Sequence, residues 1–213
     1  MRRTADRPLP AGRLQAEQAF LLGLLMTAVG VLYLGMWVNW LTSLLAILTS
    51  IIYLCIYTPL KKKTTWNTMI GAVPGALPPV GGWAAARGEI GLEACILFVI
   101  LFLWQFPHFY SIAWIYREEY SRAGFKMLSD KDAQGNRTAR HVVFNSLILL
   151  PFSLLPALLG FTGPVYFYIA ALMSLILLVF SISFARYRTN IRARRLLQAT
   201  LIYLPTIWMV LVL

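Results

Sequence analysis

The run LEACILFVILFLWQFPHFYSIAWIY, residues 92–116, carries a single charged side chain, Glu93, near its start. A helix needs about 20 mostly apolar residues to cross the hydrocarbon of a bilayer, and this run supplies them. Gln105 and His108 fall inside its apolar stretch Leu97–Ile115, where a polar side chain is costly unless it faces the interior of a bundle. At 100° per residue His108, Ile112, Ile115 and Glu119 share a narrow arc with Gln105 beside it. Glu119 follows His108 by eleven residues, about 16 Å along the axis. Two readings stay open from these residues alone. The face lines a cavity with an acidic mouth, suited to a long amphipathic substrate, or His108 and Gln105 form interhelical hydrogen bonds that hold a bundle together.

Outward from this run the same pattern repeats. Ala19–Val38, Trp40–Tyr57, Met69–Ala86, Val142–Phe161, Val165–Phe184 and Leu196–Leu213 are further apolar runs, so seven spans are expected in one all-α membrane domain covering residues 1–213. The composition agrees: of 213 residues, 59% are hydrophobic and 13% charged, against about a quarter charged in a soluble domain. Cys55 and Cys95 lie inside apolar runs without CxxC spacing and are expected to be buried free thiols.

The net charge of +11 would suggest nucleic acid in a soluble protein. Here the basic residues sit between apolar runs and form no stripe with interleaved aromatics, which excludes that class. Arg2, Arg3, Arg7 and Arg13 precede the first run, and Lys61–Lys63 follow the second. Arg117, Arg122, Lys126, Lys131, Arg137 and Arg140 follow the fourth, and Arg186, Arg188, Arg192, Arg194 and Arg195 follow the sixth. Only Arg87 falls on the opposite side. The positive-inside rule then predicts a cytoplasmic N-terminus and an external C-terminus, the reverse of seven-helix receptors and retinal pumps. The first fifteen residues are basic and polar with Pro8 and Pro10, unlike a cleavable signal peptide.

The third run holds Gly71, Gly75, Gly81, Gly82, Pro74, Pro78 and Pro79. Each proline removes a backbone bond that hydrocarbon cannot replace, so this segment belongs inside the bundle, as a kinked, tightly packed helix or as a broken one lining a polar cavity. After the fourth run, Arg117-Glu118-Glu119-Tyr120-Ser121-Arg122 combines hard carboxylate ligands for Mg²⁺ with guanidiniums for phosphate. The ordinary alternative is a solvated helix end with Glu118 and Arg122 as an i,i+4 pair.

Three segments resemble the heme branch of the UbiA-type intramembrane prenyltransferases. The first is Met1-Arg2-Arg3-Thr4 with Arg7-Pro8-Leu9-Pro10-Ala11-Gly12-Arg13. The second is Tyr57-Thr58-Pro59-Leu60-Lys61-Lys62, running through Asn67-Thr68, Gly71 to Ala76 and Pro78-Pro79 to Gly82-Trp83. The third is Trp104-Gln105-Phe106-Pro107-His108-Phe109, through Glu119-Tyr120 to Ala123-Gly124 and Met127-Leu128. The resemblance implies a nine-helix bundle around a central cavity, in which farnesyl diphosphate, held through Mg²⁺, donates its prenyl group to a vinyl group of protoheme IX (heme B). It implies Lys61 and Tyr57 at the diphosphate with Arg3, Arg7 and Asn67 as helpers, and Glu119 with Glu118 at the metal. His108, Gln105, Tyr120 and Arg122 are implied on the heme and prenyl side. The bilayer is the solvent, a bacterial inner membrane the expected location, and heme A synthase or terminal-oxidase assembly factors the expected protein partners.

Two departures follow. The family's second acidic motif often has Asp where this chain has Glu119. The first acidic motif lies upstream of the Met-x-Arg-Thr segment at which this chain begins, so two helices and half of the metal site are expected to be missing and the chain alone to be inactive or badly impaired. The alternatives are a quinone-precursor prenyltransferase, which should have several Asp in its second motif and no Pro-His-Phe element, a transporter, which should show internal repeats and charges deep in its spans, and a non-catalytic assembly factor, which the missing acidic motif would suit.

Overall fold

The computed structural model describes residues 4–130 and 132–212; Arg3 and Lys131 lie outside them. Helix α1 spans Ala16–Trp37 and α2 spans Trp40–Leu60, with a π-helical stretch over Ile52–Tyr57. They are followed by α3, Asn67–Arg87; α4, Leu92–Ile115; the short α5, Arg117–Arg122; α6, Asn136–Leu158; α7, Pro164–Tyr187; and α8, Asn190–Leu211. Helices α1, α2, α4, α6 and α7 are long and apolar enough to cross a membrane. Of the seven expected spans, α3 and α8 are long but less apolar, α3 through its glycines and prolines and α8 through Arg192, Arg194 and Arg195. The helices reach past the apolar runs at the basic end, so Arg137, Arg140 and the α8 arginines are helical rather than in loops.

Local chemistry sets the turns. Asn39 caps α2 by accepting from the Thr42 amide at 2.9 Å, and its own amide donates to the Ala84 carbonyl of α3 at 2.8 Å. Gly88 ends α3 in the left-handed region at φ 75°, a conformation that suits glycine. The Asp132 carboxylate accepts from the Thr138 amide at 2.7 Å, which satisfies one of the free donors of α6.

Helix α4 is the hinge of the packing. It contacts α3 on one side and α6 and α8 on the other; α7 packs on both α6 and α8, and α1 packs on α2. The core runs through Ile100, Leu149, Leu177, Phe184, Leu196, Tyr203 and Ile207. The outer surface is apolar: Phe20, Met26 and Trp37 of α1 are 69%, 67% and 67% exposed, and α1 buries no residue. For a multi-pass membrane protein this is the lipid face. Cys55 and Cys95 are free as expected but exposed, not buried. In a bilayer an apolar run has two apolar neighbours, core and lipid, and a thiol is compatible with either.

Helix α3 runs unbroken through Pro74, Pro78 and Pro79. Its buried side is small, with Ala72, Ala76 and Ala84 fully covered, which lets α4 approach closely. The helix is packed but not broken, and it still lines a cavity, because Gly71, Pro74 and Gly75 border one.

Candidate functional site

The end of the bundle that carries the basic loops opens into a cavity of about 1140 Å³ between α2, α3 and α4, covered by the N-terminal segment and by the loop after α5. That exceeds the roughly 300–1,000 Å³ of an ordinary small-ligand pocket. Its rim carries Arg7, Lys61, Asn67 and Tyr120; its depth is Pro74, Gly75, Gln105, Phe109 and Ile112. Among the described lining residues there are two cations and no carboxylate.

Lys61 follows Tyr57 by one helical turn, and its Nζ stands 4.3 Å from the Tyr57 ring centroid and 5.6 Å from that of Tyr53. Partial burial pushes the Lys61 ammonium below the ordinary lysine range, since desolvation penalises the charged form. The Tyr57 ring fits because Gly71 faces it: a Cβ there would stand 2.5 Å from Cε2. Arg7 has no side-chain partner among the described residues and is free to meet an anion. Asn67 is 1% exposed and uses both amide protons, donating to the Thr64 carbonyl at 2.6 Å and the Lys126 carbonyl at 2.8 Å. It clips the loop after α2 to the loop after α5, beside the Lys126 amide that donates to the Lys61 carbonyl at 3.0 Å.

On α4 the polar pair expected on one face is split. Gln105 is 3% exposed, donates to the Ala72 carbonyl at 3.0 Å, and borders the cavity beside Gly75. His108 instead faces α8. Its Nδ1 is 3.0 Å from Thr200 Oγ1 and its ring stacks on Trp104 at 4.8 Å, while Trp104 Nε1 donates to the Thr200 carbonyl at 2.9 Å. Because the Thr200 hydroxyl donates to the Leu197 carbonyl at 2.6 Å, it accepts from His108, which fixes the proton on Nδ1. The cavity stripe is therefore Gln105, Phe109, Ile112, so the expected arc divides: Ile112 meets the cavity while His108 ties α4 to α8.

Helix α5 also divides its residues. Tyr120 borders the cavity and meets Phe125 edge-on at 6.0 Å. Glu118 and Arg122 line a separate outer groove with Arg117 and Asp130. The Arg122 Nε donates to the Glu118 main-chain carbonyl at 3.3 Å, not to a carboxylate. Glu119 is half-buried, and its Oε2 is buried with no hydrogen-bond partner.

A profile of the UbiA prenyltransferase family matches residues 1–206. The chain belongs to that family. It is 48% identical over 208 residues to the protoheme IX farnesyltransferase of Solibacter usitatus, covering 98% of this chain and 71% of that one. It is 46% identical over 222 residues to the protein of the same name from Koribacter versatilis, covering 100% and 71%. A solved chain from structural work on digeranylgeranylglyceryl phosphate synthase has the same fold, with a TM-score of 0.80 at 17% identity over 97% of this chain and 72% of that one.

UbiA membership raises the question of Mg²⁺. Among the described residues no three His, Cys, Asp or Glu side chains come together as a metal site. Glu119 is not among the residues that line the cavity, although its Oε2 is buried without a hydrogen-bond partner; Mg²⁺ commonly takes one or two carboxylates plus substrate phosphates, and Glu119 supplies one only if its carboxylate turns toward the rim. Glu118, exposed in the outer groove, does not share that position.

Two cavity residues, Tyr53 and Phe125, lie outside the resembling segments and carry no motif signal. Phe109 and Met127 stand within the third segment without a role of their own there. Helical spacing from Tyr57 and Gln105 reaches Tyr53 and Phe109, each four residues away. Gly75 is a sharper case, because a Cβ there would collide with Gln105 Oε1. Gly75→Ala is expected to displace the Gln105 amide, break its bond to Ala72 and lower the apparent melting temperature of the detergent-solubilised protein by several degrees, about 1–3 kcal/mol of overpacking. Gly81→Ala, where a Cβ meets nothing within 4 Å, is the control expected to leave it unchanged.

Proposed function

We propose that the protein this chain belongs to transfers the farnesyl group of farnesyl diphosphate to a vinyl group of protoheme IX, with addition of water, to give heme O for terminal oxidase assembly. The observation that carries the reading is the cavity itself: an apolar chamber within the membrane whose rim presents Lys61 and Arg7 and, among the described lining residues, no carboxylate. An isoprenoid tail fits the depth, and a diphosphate fits the rim. The names of the relatives support protoheme IX as acceptor.

The chemistry follows from the charges. The allylic C–O bond breaks and pyrophosphate leaves with the electron pair, so negative charge grows at the rim, where Lys61 and Arg7 stabilise it. The allylic cation remains among Phe109, Ile112 and Pro74, which keep water away from it. The vinyl π electrons attack that cation, and the new cation beside the porphyrin ring takes a water molecule, which loses a proton to leave the hydroxyethylfarnesyl group. Mg²⁺ carried on the diphosphate would supply further charge neutralisation, and Glu119, outside the cavity lining, would hold it once its carboxylate turns toward the rim. Tyr57 positions Lys61, Asn67 positions the two loops, and Tyr120 and Gln105 shape the walls. His108 acts as the tie between α4 and α8, and Glu118 and Arg122 belong to the outer groove. The basic end faces the cytoplasm by the positive-inside rule, in a bacterial inner membrane.

The test is direct. Membranes from cells expressing the protein from its own gene, given heme B, farnesyl diphosphate and Mg²⁺, should yield a heme heavier by a farnesyl group and water on mass spectrometry. Heme B recovered unchanged would reject the reading.

A further inference from the structure

Away from the cavity, α7 and α8 leave a groove of about 520 Å³ on their outer side. Arg195 stands at its top, Gln198 one turn deeper, and Phe180, Ile176, Met173 and Ile202 form its walls. From Arg195 to Ile202, and from Phe180 to Met173, the groove runs about 10 Å along the two antiparallel helices, from the basic end toward the middle of the membrane.

The charge around it is one-sided. Residues 133–213 contain no Asp or Glu, while the α7–α8 corner holds Arg186, Arg188, Arg192, Arg194 and Arg195. Three of the five are engaged. Arg188 donates to the Ala185 and Gln134 carbonyls at 3.0 and 3.1 Å, and Arg186 and Arg192 lie over the Tyr187 ring at 5.7 and 4.9 Å. Arg194 and Arg195 have no side-chain partner among the described residues, and of these two only Arg195 borders the groove. A guanidinium with no internal partner, above an apolar channel that opens to the bilayer, matches a phosphate with a hydrocarbon chain attached.

We propose that the α7–α8 groove binds an anionic glycerophospholipid, its headgroup phosphate on Arg195 and Gln198 and one acyl chain along Phe180, Ile176 and Ile202. The site is separate from the catalytic cavity, and its occupancy does not depend on the reaction assigned above.

Native mass spectrometry of the whole protein in neutral detergent, with phosphatidylglycerol and phosphatidylcholine added at equal concentration, reads the site. Phosphatidylglycerol adducts should exceed phosphatidylcholine adducts about fivefold, in keeping with the contribution of one arginine at a membrane surface. Arg195→Gln should remove that preference and Arg195→Lys should keep part of it. Arg194→Gln, which changes the same net charge outside the groove, should leave it within about twofold. Ile202→Trp, which fills the channel and keeps Arg195, should also lower the adducts, so the result does not hang on one variant. Millimolar inorganic phosphate should not compete. Equal adducts of the two lipids, equal losses in Arg194→Gln and Arg195→Gln, no loss in Ile202→Trp, or displacement by free phosphate would each overturn the proposal.

Discussion

Lys61→Gln lowers turnover of farnesyl diphosphate on the order of 10²–10³-fold, the range found when one pre-set stabiliser of a leaving charge is removed. The lysine is fixed for this task. Its stem follows Tyr57 by one turn, its ammonium lies 4.3 Å from that ring, and Gly71 leaves the ring its space. Lys62→Gln removes the same charge from an exposed neighbour and should change turnover by no more than about twofold, as exposed charges are screened. The pH dependence separates a charge role from a packing one. Burial holds the ammonium below the usual lysine range, so it is fully charged below that lowered pKa and neutral above it. Affinity for farnesyl diphosphate should therefore fall as pH rises through that lowered pKa. Lys61→Arg, which stays charged, should flatten that fall even if its turnover is lower. A flat profile in the unmodified protein, or equal losses in the two glutamine variants, would remove Lys61 from the diphosphate.

The second large effect concerns Glu119. Glu119→Gln keeps the shape and removes the charge, and kcat should drop on the order of 10²-fold while heme B binding, read from the Soret band, changes little. Stability gives the discriminating readout. The Glu119 Oε2 is buried without a partner, and an unpaired buried carboxylate oxygen is a cost to the resting fold. Glu119→Gln should then melt no lower than the unmodified protein in the absence of substrate and Mg²⁺. A lower melting temperature with equal losses in turnover and heme binding would make Glu119 a structural residue.

Much of the fold was legible because a bilayer imposes length and apolarity on a span, and apolar runs mark it directly. Boundaries at the basic end were less so: Arg137, Arg140 and Arg192 to Arg195 are helical, since long basic side chains reach the polar layer from inside a helix. The rotation of α4 was beyond the sequence. Its buried residues lie on all sides, because it packs between α3 and α8, and a helix covered all round has no amphipathic stripe to orient it. Gln105 and His108 are 300° apart along the helix, a 60° offset, which is enough to send one to the cavity and the other to Thr200. The acidic pair has a simpler limit. Adjacent residues diverge by 100°, so Glu118 and Glu119 could not both point the same way, and only packing decides which is covered. The basic rim was readable from Tyr57, Lys61 and Arg7, whereas the locking role of Asn67 depends on Lys126, 59 residues away, which no local spacing reveals.

The central claim is that a prenyl diphosphate lies with its charge at Lys61 and its tail between α3 and α4. A farnesyl diphosphate analogue carrying a photoreactive group at the tail end, irradiated in membranes containing the protein and mapped by peptide mass spectrometry, tests this most directly. Label should fall on the segments around Pro74–Gly75 and Gln105–Ile112, and excess inorganic pyrophosphate or Lys61→Gln should suppress it. Label concentrated on α7 and α8, or unchanged by pyrophosphate, would contradict the account.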